Sequence, residues 1–201
     1  MGGTDDTAMR PLRADARRNR EALLRAAGEA FAERGVDTSL EDIAVRAEVG
    51  IGTLYRNFPT REALIQAVYQ DEVEWLCGGV EELLASMSPE EALRAWTRRF
   101  VDHVTRKRGM ATALKQAVAD GRSPEAAQNH AELVAYKKER MEHAITTLVD
   151  AGVASGTLRS DVAPMDLLRS ISGICLAETG TEQSVRMASL LTDGMRFGAA
   201  G

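Results

Sequence analysis

The window from Ile51 to Arg61 gathers groups suited to a polyanion that also presents readable edges. Ile51, Gly52, Thr53, Tyr55 and Arg56 crowd a few positions. A Thr53 or Tyr55 hydroxyl can donate to a phosphate oxygen, Arg56 brings charge, and Gly52 lets backbone approach closely. Arg61 follows Thr60, which reads as a helix cap, and a helix N-terminus bearing a cation is an anion site. The chemistry is hydrogen bonding and charge neutralisation, with no bond made or broken. Ser39, Thr53, Asn57 and Arg61 are the candidates for phosphates. Ile51, Gly52 and Tyr55 are the candidates for base edges in a major groove, and Glu41 could accept from a cytosine amino group.

Those residues need two short helices and a tight turn. Ser39 with Asp42 three positions on resembles a capping box, so a helix starts near Leu40. Ile43, Ala44 and Ala47 form a narrow apolar face that lets another helix cross closely. The next helix starts near Gly50 and lasts about two turns, because Pro59 cannot continue it and pushes Phe58 out of helical geometry. Leu54 and Phe58 then point inward. The layout is that of a helix-turn-helix, although two short helices joined by a turn also occur in helical proteins that read nothing.

Taken together, the run from 16 to 64 closely resembles the DNA-binding domain of the TetR family of transcriptional repressors. The matching segments are Ala-Phe-Ala-Glu-Arg-Gly at 30–35, Thr-Ser-Leu-Glu-Asp-Ile-Ala at 38–44, Ala-Glu-Val-Gly-Ile-Gly-Thr-Leu-Tyr at 47–55 and Phe-Pro-Thr-Arg-Glu-Ala-Leu at 58–64. Two positions depart from the pattern. Glu48 stands where the turn usually carries Gly, and Gly50 stands where a Ser is common. The resemblance implies a repressor of a palindromic double-stranded operator, released when a small-molecule effector shifts a two-state dimer and moves the fourth helix. It also implies a four-helix bundle built by the last two helices across a two-fold axis.

The rest of the chain fits an all-α protein. Aromatics are 4%, alternating β-branched runs are absent, and about nine helices are expected. Residues 1–13 lack periodicity and read as a flexible arm, 14–60 as a helix-turn-helix DNA-binding domain, and 61–201 as a ligand-binding and dimerisation domain. Leu23, Leu24, Ala27, Ala30 and Phe31 form the stripe of a first helix that ends at Gly35. A fourth helix over 61–78 carries Leu64, Val68, Trp75 and Leu76. Ser88-Pro89-Glu90-Glu91 opens the next, followed by helices at 110–119, stopped by Asp120-Gly121, and from Ser123-Pro124 to 150. Residues 152–164 read as an ordered loop. The helices expected over 165–179 and 182–197 carry more apolar residues than one buried stripe needs, so a second face should pack on another copy.

The net charge of -5 conceals a polar distribution. Arg10, Arg13, Arg17, Arg18, Arg20 and Arg25 face only Asp15 and Glu21 in their segment, which favours salt-dependent DNA binding, though such a run can also be a solvated face. Trp75, Trp96, Phe100, His103, Met110, Tyr136 and Met141 are the candidates for lining an effector cavity; the same pattern also describes plain core. No HExxH, GxSxG, CxxC or repeated Glu-x-x-His pair is present, so no enzyme, metal or cofactor is expected. Cys77 and Cys175 read as buried hydrophobes. Without an apolar span or secretory core the expected compartment is the cytoplasm. The rival to a DNA-binding regulator is a helical dimeric adaptor that has lost specific DNA binding.

Overall fold

The computed structural model describes residues 6–106, 108–119, 124–177 and 180–198, and over these it is all-helical. The helices are α1 (Asp6–Arg34), α2 (Leu40–Arg46), α3 (Ile51–Asn57), α4 (Arg61–Gly78), α5 (Val80–Ser86), α6 (Pro89–Arg106), α7 (Arg108–Ala119), α8 (Pro124–Ala154), α9 (Pro164–Leu176) and α10 (Thr181–Gly194). Residues 1–5 of the expected arm, the Asp120-Gly121 stop, Ser123 and Thr179 lie outside the described residues. No described helix is long and apolar enough to cross a membrane. The chain forms two compact units. One holds the residues up to Asp71 with 109–130; the other holds Glu72–Arg108 and everything from Ala131 on.

In the first unit α1 packs on α2 and α3. Leu23, Ala27, Ala30, Ile43, Leu54 and Leu64 are fully buried, so small alanines on α1 bring the short α2 and α3 close around a leucine centre. α1 begins at Asp6, so residues 6–13 are helical and not an irregular arm. The run from Ala8 to Arg20 contains no glycine, and its helix formers outweigh the one bond lost at Pro11. Gly35 closes α1 at φ +83°, its amide bonding Phe31 O at 3.0 Å.

α2 ends in a Schellman motif. The Val49 amide bonds Ala44 O and the Glu48 amide bonds Val45 O, both at 3.0 Å, with the residue between cap and turn at left-handed φ. That residue is Glu48, at φ +57°, the one non-glycine among the described residues with positive φ. The same motif closes α8, where Thr157 N bonds Gly152 O and Gly156 N bonds Val153 O, and there glycine supplies the left-handed position.

In the second unit α6 packs on α5, α9 and α10. Its start is a full capping box: Glu91 N donates to Ser88 Oγ at 3.4 Å, and Ser88 N donates to Glu91 Oε2 at 3.1 Å. Trp96 is fully buried, its ring 5.4 Å from that of Phe100 and its Nε1 donating to Leu76 O at 3.1 Å. α10 lies along α6 with small buried Ser184, Ala188 and Thr192. Thr181 Oγ1 donates to Thr105 Oγ1 at one end, and at the other Arg94 pairs with Asp193 and Arg196 with Glu90.

Three further expectations change. Gly79 interrupts the chain after α4, so 80–86 forms the separate helix α5, with Leu83 N bonding Gly79 O. α8 continues through Gly152 to Ala154 and Pro164 is the first residue of α9, so the irregular stretch is only 155–163. Leu158 folds back onto the helix at Gly152. A Cβ there would overlap Leu158 Cδ1 and Cγ, and Leu158 is itself buried.

Gly152→Ala should therefore lower the urea midpoint at fixed protein concentration, costing about 1–3 kcal/mol by overpacking, and Leu158→Ala in the same chain should recover part of it. Glu48→Gly should raise stability by about 1 kcal/mol, because it removes a Cβ from a left-handed position, with no change in the far-ultraviolet spectrum.

Candidate nucleic-acid interface

The N-terminus of α2 is built by side chains from three elements. Thr38, buried, donates through Oγ1 to Gly35 O at 2.8 Å. Arg61, the first residue of α4, donates through Nη1 to Val36 O at 2.8 Å and Thr38 O at 2.6 Å. Ser39 caps α2: Asp42 N donates to its Oγ at 3.3 Å, as the capping pattern predicts. The Asp42 carboxylate does not complete the box. It pairs instead with Arg34 Nη1 at 3.1 Å, tying α1 to α2. Arg46 reinforces that tie through Glu33 at 2.7 Å and Glu29 at 3.7 Å. The Arg46 hydrogen bond holds the Glu33 carboxyl below the usual range, and Glu33 raises Arg46 in turn.

α3 presents the face the spacing predicts. Leu54 and Phe58 are buried, while Ile51 and Tyr55 are 37% and 46% exposed, with Gly52 exposed between them. Arg56 Nη2 donates to Thr53 Oγ1 at 3.0 Å, leaving the Thr53 proton for an outside acceptor. Asn57 is turned back on its own helix, Nδ2 donating to Thr53 O at 2.9 Å. Thr60 caps α4 through Ala63 N at 3.1 Å.

The cations are more committed than their spacing suggests. Arg17 pairs with Glu21 at 3.6 Å and Arg18 with Asp15. Arg20 stands over the Phe58 ring, 4.6 Å from its centroid, a cation–π contact that places its charge beside the end of α3. No sequence signal short of the fold pairs residues 20 and 58. The side chains of Arg10 and Arg13 lie outside those described. Of the four residues expected on phosphates, Ser39 gives its single proton to Glu41, while Asn57 and Arg61 each spend part of their donors within the protein and Thr53 accepts from Arg56.

The candidate effector residues do not form one set. Met110 is buried in the first unit, while the other six lie in the second. Trp75 is 61% exposed, with Arg99 5.6 Å from its ring centroid. The buried row of α4 runs Ile65, Tyr69, Val73, Cys77, an i, i+4 progression that winds round the helix, so Trp75 leaves the face that Leu64 and Val68 begin. Trp96 and Phe100 are stacked core. His103 is buried, its Nδ1 4.0 Å from Glu72 Oε2, and Met141 places its sulfur 3.7 Å from Cys77 Sγ. Tyr136 is half-buried. Arg140 grips Glu74, Nε to Oε1 at 3.0 Å, a pair 66 positions apart that no local pattern announces. A groove of about 750 Å³ runs along α8 past Lys138, Glu139, Glu142 and His143, none of them among the candidates. Both cysteines are buried and free of disulfides, and burial pushes the Cys77 thiol up to about 11. The described residues contain no group of three or more His, Cys, Asp or Glu able to hold a metal.

Comparison with known proteins agrees with this geometry. Residues 23–68 match the family described as bacterial regulatory proteins, tetR family, and residues 88–197 match the C-terminal domain of SbtR-like transcriptional regulators. The TetR transcriptional regulator SCO0520 of Streptomyces coelicolor is 45% identical, with a TM-score of 0.74 over 88% of this chain and 98% of that one. The TetR transcription regulatory protein of Mycobacterium vanbaalenii is 32% identical, with a TM-score of 0.63 over 92% and 99%. The repressor KstR2 of Mycolicibacterium smegmatis is 37% identical over 76 residues, which are 37% of each chain. The chain spans 37% to 60% of the length of such curated relatives. The capped α2, the Schellman turn and α3 all lie within the matched residues 23–68, and the chain belongs to the TetR family of bacterial transcriptional regulators.

Proposed function

We propose that the protein is a sequence-specific repressor that binds a palindromic operator as a homodimer and is released by a small-molecule effector. The observation that carries this reading is α3 itself: a short helix with Ile51, Gly52, Tyr55 and Arg56 exposed, Thr53 half-buried, and Leu54 and Phe58 buried. Such a helix fits a major groove, with Ile51, Gly52 and Tyr55 at base edges and Thr53 and Arg56 at the backbone. Arg61 acts by fixing the loop before α2, and Asn57 by closing α3.

Dimerisation is supported by apolar surface on the last two helices. Leu176 on α9 and Leu190 on α10 are 71% and 72% exposed, in a unit whose other leucines are mostly buried. A two-fold pairing through them would set two reading heads on half-sites about 34 Å apart. The effector is assigned to the second unit, near Phe100, His103, Tyr136 and Met141, where apolar surface meets a few polar groups. Its binding would favour an arrangement of α4 that no longer spaces the heads for DNA.

Selection of tight binders from a random duplex pool should recover a palindrome, and retitration of the winner should show affinity falling with salt. Recovery of no motif at low salt would overturn the DNA-reading proposal and favour the adaptor. Leu190→Glu should yield a monomer by sedimentation equilibrium and lose the palindrome; a dimer of undiminished affinity would remove α10 from the interface.

A further inference from the structure

Ser39 and Glu41 read from sequence as separate contacts, one to phosphate and one to a base. Their geometry joins them. Ser39 Oγ accepts the Asp42 amide proton at 3.3 Å and gives its own single proton to Glu41 Oε2 at 2.8 Å. A phosphate oxygen only accepts, so the Ser39 hydroxyl in this arrangement has nothing to offer it. Glu41 is exposed and keeps most of its acceptor positions. Its carboxyl is held below the usual range, first by the Ser39 hydroxyl, then by its own backbone amide, with the Arg61 charge contributing. The loop bearing Ser39 is braced by Arg61 on the Val36 and Thr38 carbonyls, so the pair sits on a fixed base.

An ionised carboxylate repels the DNA backbone and can be satisfied only by a donor. In the major groove the donors are the exocyclic amines of cytosine and adenine, and on adenine the amine lies beside the N7 acceptor, which faces the carboxylate with a lone pair. We infer that Ser39 and Glu41 form one specificity unit, in which Glu41 accepts from a cytosine amino group in each half-site and Ser39 is a positioning residue that aims it. The inference rests on the DNA-reading proposal above. It replaces the sequence-derived phosphate role of Ser39, and it makes Ser39 a determinant of base preference without contact to DNA.

The test is duplex selection and salt titration on the full-length chain and its variants. Glu41→Ala should lose cytosine preference at one position per half-site by about tenfold. Ser39→Ala should lose preference at that same position with an unchanged salt slope. Because alanine also removes a helix cap, Ser39→Asp is the second variant: it keeps the cap but has no proton to give, and it should show the same loss with a normal melting temperature. Ser39→Thr should retain the wild-type preference, and Ser39→Ala combined with Glu41→Ala should be no worse than Glu41→Ala alone. Uniform weakening of all sequences by Ser39→Ala, with a salt slope lower by about one per subunit, would make Ser39 a phosphate ligand and overturn the inference. So would a wild-type motif whose preferences ignore Glu41. A wild-type chain that selects no motif brings down the DNA-reading proposal itself, which separates the two failures.

Discussion

The reading head hangs on one guanidinium. After α1 ends at Gly35, four residues must turn the chain into α2, and the carbonyls of Val36 and Thr38 have no helical partner to bond. Arg61 supplies both bonds from a single nitrogen, reaching back more than twenty positions from the first turn of α4. The consequence propagates. With Thr38 fixed, Ser39 can cap α2; with α2 fixed, its Schellman turn sets the direction of α3; and with Leu54 and Phe58 then seated, Ile51 and Tyr55 are the residues left outside. A surface pair in this position would be worth little. A cation satisfying two part-buried loop carbonyls is worth more, because a carbonyl left bare there loses part of its hydration without a replacement bond.

This arrangement also explains why the charge of the head is restrained. Arg17, Arg18, Arg34 and Arg46 are turned onto Glu21, Asp15, Asp42, Glu33 and Glu29. Exposed pairs of this kind are weak and exchangeable, so a phosphate can compete for the same cation.

Local grammar made much of the fold legible. Ser39, Gly35, Pro59 and the Ser88-Pro89-Glu90-Glu91 run act through neighbours a few positions away, and the helix ends they predict are where the structure has them. What stayed hidden depends on distance or on slow drift. The two carbonyls that Arg61 meets lie more than twenty positions back, and nothing local shows that they are bare. Trp75 was expected inward because two good leading positions, Leu64 and Val68, do not reveal that the buried row winds round α4. Gly152 looked like a breaker, and only the return of Leu158 shows why a helix keeps it. Of the candidate site, the outward face of α3 was readable, whereas the sharing of one proton between Ser39 and Glu41 needed coordinates.

The two tryptophans stand in opposite surroundings. Trp96 is sealed, stacked on Phe100 and bonded to a carbonyl, while Trp75 stands in water beneath the Arg99 guanidinium. Their emission should accordingly separate into a blue, quencher-resistant component and a red, quenchable one. Since Trp75 rides on α4, the helix that leads out of the reading head, the red component is a built-in optical gauge of that helix, available without attaching a dye.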